Sequence, residues 1–182
     1  MSQRATKLHV VTPLEDEKPE RPKLRYGFEE IVVTCRDYPP LLRQCIKEVG
    51  PPRGKCPLEF DWRQAFQMNA AGALLVMAAR VDDDDDSLVG FCINIVGRPI
   101  KYSSTLHAQI DMMYLHPAWR RGWAAIAMLK ANETRLRQLG VKRMLAAEPA
   151  RFKNHSGLRL RRLFHFMGYR PLEVIWEKYL EG

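Results

Sequence analysis

The spacing of apolar positions changes character several times along the chain, and each change predicts an element. Residues 26–34, YGFEEIVVT, read as a strand. Residues 38–49, YPPLLRQCIKEV, read as a helix opened by proline and stopped by Gly50-Pro51-Pro52. A second helix is predicted over 61–70, with Asp61 as its N-cap and Gly72 just past its end. Two apolar, β-rich runs, GALLVMAARV and SLVGFCINIV, flank five consecutive aspartates and predict an antiparallel hairpin with an acidic tip. A strand over 104–115 ends at His116-Pro117, and a long helix over 121–139 carries Ala125, Met128, Leu129, Leu136 and Leu139 at helical spacing, with Gly140 as its stop. VKRMLAAE reads as a strand, 156–167 as a short basic helix, and YRPLEVIWEKYL as a terminal strand.

Strand pairs followed by strand–helix–strand describe a mixed sheet with helices packed on it, an α+β or α/β architecture in a single domain. A length of 182 residues fits one domain of ordinary size. It divides into an N-terminal arm over 1–24, whose LHVV could add to a neighbour's sheet in a homodimer, and a folded domain over 25–182. Apolar residues at 46% and charged residues at 27% are globular values and exclude a disordered, collagen-like or coiled-coil chain. No apolar run approaches the roughly eighteen residues of a membrane span, and the first thirty positions lack a secretory h-region, so a cytoplasmic protein without membrane association is expected.

Charge is unevenly placed. Of a net +8, the stretch from His116 to Arg170 holds thirteen lysines and arginines against two acids, so it carries +11 and the remainder −3. That asymmetry predicts attraction for an anion: a phosphorylated cofactor, a nucleic acid or an acidic protein surface. Cys35, Cys45, Cys56 and Cys92 have neither CxxC nor zinc-ligand spacing and read as free thiols. Asp82–Asp86 lack the alternating ligands and glycine turn of a calcium loop and read as a solvated turn; no metal site is expected.

The junction IDMMYLHPAWRRGWAAIAM, 110–128, is where chemistry concentrates. A strand running into a helix leaves the first helical amides unpartnered at the positive end of the dipole, which favours an anion. Arg120 and Arg121 add forked donors, Gly122 lets the backbone approach a phosphate closely, and Ala124, Ala125 and Ala127 keep the first turn slim. On these residues alone, an anion site and an ordinary basic helix start stand about even.

This segment resembles motif A of the GNAT N-acetyltransferases, where a strand, Arg/Gln-x-x-Gly-x-Gly/Ala and a helix hold the pyrophosphate of acetyl-CoA. Counting from Arg120 puts Trp123 at the first glycine and Ala125 at the Gly/Ala position; counting from Gly122 puts Trp119 where Arg/Gln belongs. In the same order, CPLEFDWRQAFQMNAAGALLVMAAR, LVGFCINIV, YSSTLHAQIDMMYLHPAWRRG, LGVKRM and MGYRPLEVIWEKYL resemble the small GNAT proteins of tailed bacteriophages and prophages, over about 28–181.

The resemblance implies acetyl-CoA as cosubstrate and amine attack on its thioester. By position, Met113, Tyr114 and Leu115 would pair with the pantetheine arm, and Arg120, Arg121, Gly122, Trp123, Ala124, Ala125 and Asn154 would hold the rest of CoA, with Lys153 and Arg159 near its 3′-phosphate. Asp111, an acid in an apolar strand whose burial would raise its pKa, is the expected general base, against the alternative of a carboxylate that caps backbone or pairs with arginine. Glu148 and His107 are further candidates. Relatives protonate the thiolate with a tyrosine four residues before the glycine of the last Gly-Phe/Tyr pair; here that residue is Phe164, before Gly168-Tyr169, so Ser156, His155 or water would substitute. The expected acceptor is an amine, a lysine or N-terminus of a host or viral protein. A catalytically weak module docking on an acidic host protein is the alternative. Nucleic-acid binding ranks last, because the arginines are scattered and no reader helix or aromatic RNA motif accompanies them.

Overall fold

The computed structural model describes residues 22–49, 59–120, 122–148 and 155–173, with the side chains of 49 and 155–159 outside that description. The elements are β1 (Leu24–Glu29), α1 (Ile31–Thr34), α2 (Tyr38–Val49), α3 (Trp62–Ala70), β2 (Leu74–Val81), β3 (Leu88–Gly97), β4 (His107–Leu115), α4 (Ala124–Gln138), β5 (Arg143–Ala146) and α5 (His155–Phe166). The strands form one sheet in sequence order. β1 to β4 are antiparallel, and β5 joins β4 in parallel after the α4 crossover, giving the mixed α/β sheet flanked by helices that the element order predicts.

Two apolar layers sandwich the sheet. On one face Tyr38, Leu41, Leu42 and Cys45 of α2, with Ile31 and Ala65, cover Val76, Phe91, Ile93 and Tyr114. On the other, Met128 and Leu129 of α4 and Phe164 of α5 cover Met77, Cys92 and Ile110. Within the second layer Asn94 and Asn132, both fully buried, exchange reciprocal amide hydrogen bonds of 2.9 and 3.0 Å. Each thereby satisfies the other's polar atoms and fixes where α4 sits on the sheet.

Several boundaries differ from the sequence pattern. The strand expected over 26–34 ends at Glu29, because Ile31 and Thr34 point inward three residues apart while Val32 and Val33 stay exposed; burial at helical spacing overrides the β preference of IVVT. β4 starts only at His107, after a single 3₁₀ turn at Ile100–Tyr102. α4 starts at Ala124 rather than 121, since Gly122 has φ +89, a value no helical residue adopts. Residues 169–173 carry no strand; the rest of the predicted terminal strand, the arm up to residue 21, the Gly50-Pro51-Pro52 stop and Cys56 lie outside the described residues. Asp61 caps α3 as expected, its Oδ1 accepting the Gln64 N–H at 2.9 Å.

The acidic tip is a solvated turn as expected, exposed over Asp82–Asp85, and it is tied to the fold through Asp86. Arg80, 5% exposed, donates to both Glu29 oxygens (2.7 and 3.0 Å), to Asp37 (2.8 Å) and to the Asp86 carbonyl (2.8 Å), while Asp86 also pairs with Arg25. Among the described residues no cluster suits a metal ion, and no helix is long and apolar enough to cross a membrane.

Candidate active site

One extra residue in β4 sets the site. The antiparallel register with β3 runs Phe91↔Tyr114, Cys92↔Met113, Ile93↔Met112 and then jumps to Asn94↔Ile110, so Asp111 is unpaired: a β-bulge. Side chains before it, Ala108 and Ile110, pack toward α4, while Met112 and Tyr114 beyond it pack toward α2. The pairing with β5 stops at the same level, at Ile110↔Ala146. Beyond Ile110, β4 therefore has a strand neighbour on one side only among the described residues.

Hydrogen-bond parity decides what faces that gap. His116 N–H donates to the Val89 carbonyl at 2.8 Å, and in an antiparallel ladder such pairs alternate. Tyr114 thus turns its backbone to β3, while the amides of Met113 and Leu115 turn into the gap. The gap leads to the start of α4. Trp123, the N-cap, contributes no side-chain bond, no acid occupies the first turn, and the first amide to find a helical partner is that of Ala127, on the Trp123 carbonyl at 2.8 Å. The amides of Ala124, Ala125 and Ile126 emerge from the helix end, beside Gly122 at φ +89. The Trp123 indole does not plug this cradle: it is 69% exposed, with its ring 6.1 Å from that of Phe166.

The other predicted residues are distributed as follows. Asp111 is exposed, not buried as expected, because the bulge leaves it out of the ladder. Glu148, just past β5, accepts from Arg161 Nε at 2.9 Å. Ser156 and His155 open α5, but their side chains lie outside the described residues, as do the side chain of Arg159 and all of Arg121, Lys153 and Asn154. His107, the first residue of β4, is buried, its Nδ1 without a partner among the described residues, well before the gap. Phe164 is packed against Tyr169 with centroids 5.2 Å apart and offers no proton. Cys45 and Cys92 are buried thiols, Cys45 pushed up to about 11 by burial with Glu48 adding, which makes a poor nucleophile.

Arg120, expected on a phosphate, is engaged within the protein. After the Pro117–Trp119 turn it folds back: Nη1 meets Glu48 Oε2 at 2.6 Å, Nε donates to the Leu115 carbonyl at 2.6 Å, and the guanidinium sits 4.9 Å from the Tyr114 ring centre. Tyr114 donates its hydroxyl to the other Glu48 oxygen at 2.6 Å. Burial pushes the Glu48 carboxyl up, but the hydrogen bonds from Arg120 and Tyr114 outweigh it and hold the group below the usual glutamate range. Glu48 is the residue that sequence reasoning missed. Its signal was a carboxylate on the apolar stripe Leu41, Cys45 of α2, three residues beyond the last buried position. A separate cavity of about 410 Å³ lies at the opposite end of β5, lined by Arg137, Lys142, Arg143 and Arg170, where part of the basic half gathers.

A strand that loses its parallel partner at a bulge and then feeds an uncapped helix presents a row of unpaired main-chain donors that ends at an anion-favouring site. The sequence model of the acetyltransferase (GNAT) family matches residues 41–169. This chain belongs to the GNAT acetyltransferase family. It is thus an N-acetyltransferase whose cosubstrate is acetyl-CoA, and the exposed amides of Met113, Leu115 and the α4 start fit that molecule. No curated protein sequence matches it. Solved GNAT structures share the fold at low identity. A ribosomal-protein-alanine N-acetyltransferase from Brucella melitensis biovar Abortus 2308 is 19% identical with a TM-score of 0.60, covering 88% of this chain and 99% of its own. An aminoglycoside acetyltransferase from an uncultured soil metagenomic sample, in complex with trehalose, is 11% identical with a TM-score of 0.65, covering 87% and 97%. A predicted acetyltransferase with acetyl-CoA from Clostridium acetobutylicum is 14% identical with a TM-score of 0.63, covering 86% and 96%.

Proposed function

We propose that this transferase acetylates a primary amine of a protein, an N-terminus or a lysine, by direct attack within a ternary complex. The observation that carries the reading is the gap beyond Ile110, where the amides of Met113 and Leu115 face the side that β5 has vacated, the Leu115 carbonyl being held by Arg120. Bound there, acetyl-CoA supplies an activated acyl carbon and a thiolate leaving group. Backbone amides facing the gap orient the thioester and stabilise charge that develops on its carbonyl oxygen. Asp111, at the mouth of the gap and open to solvent, takes the amine's proton through water as the C–N bond forms and the C–S bond breaks. With Phe164 in place of a tyrosine, the departing thiolate takes its proton from solvent or from Ser156. At the cradle, Gly122, Trp123, Ala124 and Ala125 present main chain to the pyrophosphate, with Arg121 adjacent in sequence and Asn154 expected on CoA from the family resemblance.

A polypeptide acceptor is favoured over a polycationic small molecule. On the α2 side of the sheet Val32 and Val33 are 62% and 58% exposed, and two carboxylates of that layer, Glu48 and Asp37, are already engaged by Arg120 and Arg80. Exposed apolar surface of this kind suits a protein segment better than an aminoglycoside. The phage-type resemblance extends this reading to a host or viral protein. Incubation with acetyl-CoA and host lysate, followed by mass spectrometry, is expected to reveal acetylated protein amines. Transfer to aminoglycosides alone overturns the acceptor class; saturable CoA binding without any product favours a binding module instead.

A further inference from the structure

We infer that Glu48 of α2 is a positioning residue for the cofactor cradle, acting through Arg120 on the main chain where β4 becomes the cradle loop. The proposal rests on the acetyl-CoA reading of that loop. Its physical basis is the peptide unit joining Leu115 to His116, which is held at both ends. The carbonyl accepts from Arg120 Nε at 2.6 Å, and the amide donates to the Val89 carbonyl at 2.8 Å. Arg120 can hold that carbonyl only while its own head is fixed, and the head is fixed by Glu48 at 2.6 Å and by the face of Tyr114. Tyr114 is in turn tied to the same carboxylate, so one side chain orients both partners.

Local bonds alone do not fix this loop. The other described hydrogen bonds of residues 116–120 reach no further than three residues: Trp119 N–H to the His116 carbonyl, Arg120 N–H to the Pro117 carbonyl, and Ala118 N–H to His116 Nδ1. They shape a turn without orienting it on the sheet. Orientation comes from Val89 on one side, from Glu48 on the other, and from Trp119 packed into the α4 layer; of these only Glu48 reaches the Leu115 carbonyl, through Arg120. An isolated ion pair with both side chains more than a third exposed contributes little. Here the same contacts fix a main-chain direction, so the effect is read in cofactor affinity rather than in global stability.

Among the described residues Arg120 and the Tyr114 hydroxyl bond the Glu48 carboxylate, and His116 and the Cys45 thiol one turn earlier on α2 lie within reach of its charge. Replacing Glu48 removes the acceptor shared by Arg120 and Tyr114 and leaves the buried layer beneath intact.

The test compares the wild-type chain with Glu48→Ala and Glu48→Gln by steady-state kinetics, by calorimetry with desulfo-CoA, and by amide hydrogen exchange. For Glu48→Ala, KM for acetyl-CoA and Kd for desulfo-CoA are expected to rise about tenfold, the effect of losing one charge-assisted hydrogen bond, with kcat within about twofold. Glu48→Gln, which keeps an acceptor oxygen, recovers part of the loss. The His116 amide exchanges about tenfold faster in Glu48→Ala while the amides pairing β2 with β3 keep their protection. An unchanged cofactor affinity, or faster exchange across the whole sheet, overturns the positioning role. If the wild type binds no CoA analogue, the acetyl-CoA reading fails; the His116 exchange rate then still decides whether Glu48 holds the loop.

Discussion

Gly122 and Gly140 have nearly the same backbone strain at opposite ends of α4, and exchanging each for alanine separates a cofactor cradle from an ordinary helix stop. Their φ values are +89 and +85, and a Cβ added at either meets no atom within 4 Å. The cost of alanine is therefore conformational in both cases, roughly 1–2 kcal/mol for a left-handed L-residue. Where that cost is felt differs. Gly140 is locked by its own N–H to the Arg137 carbonyl and by Val141 N–H to the Leu136 carbonyl, both 3.0 Å, so the free protein cannot escape the strain. Gly140→Ala is expected to lower Tm by about 2–8 °C with unchanged desulfo-CoA affinity. Gly122 is exposed, and no hydrogen bond is described for its amide or carbonyl, so the free loop can relax and the strain returns only when the cradle closes on the pyrophosphate. Gly122→Ala is expected to leave Tm nearly unchanged and to weaken desulfo-CoA binding about 5–30-fold. Calorimetry and thermal unfolding on the two variants read both quantities. A Gly122→Ala protein that binds within twofold of wild type would refute the placement of the cradle.

Three further outcomes are expected. Asp111→Asn lowers kcat by about a hundredfold or more while Kd for desulfo-CoA stays constant, and equal turnover removes Asp111 as proton acceptor. Arg80→Met strands the largely buried Glu29 carboxylate and costs about 3 kcal/mol in urea unfolding, the low end for a broken buried pair because Asp37 is half exposed; Glu29→Gln in the same chain restores part of it, and a loss under about 1 kcal/mol contradicts the network's role. Iodoacetamide near neutral pH, read by peptide mass spectrometry, leaves Cys45 and Cys92 of the folded protein unmodified, and rapid labelling of Cys45 contradicts its burial and raised pKa.

What the amino-acid pattern revealed were features with a local cause. The hairpin around the aspartates follows from two apolar runs and a charged tip, and α4 follows from apolar spacing with a glycine at its end. The family resemblance located the strand-to-helix junction because that motif is continuous in sequence. Features that depend on partners far along the chain were out of reach. IVVT turned helical because Ile31 and Thr34 are both buried there, and its N–H partner, the Asn69 side chain, comes from α3. Nothing local marks Asp111 as the residue left out of a ladder. Arg120 was assigned to a phosphate from its neighbourhood in the motif, whereas its head is held by a glutamate 72 positions earlier, a pairing that only the packing of α2 against the sheet creates.

The unpaired residue at position 111 gives one strand two occupations. Upstream of it the strand is building material, bonded on both flanks; downstream it is a docking rail, bonded on one flank and open on the other. A chain shortened by that single residue would roll the downstream half over, carrying the Tyr114 hydroxyl away from Glu48 and presenting the wrong set of amides to an incoming thioester. The placement of the groove thus depends on strand length at that point, and substitutions there that preserve the count are expected to keep desulfo-CoA affinity far better than a deletion, whatever they do to turnover.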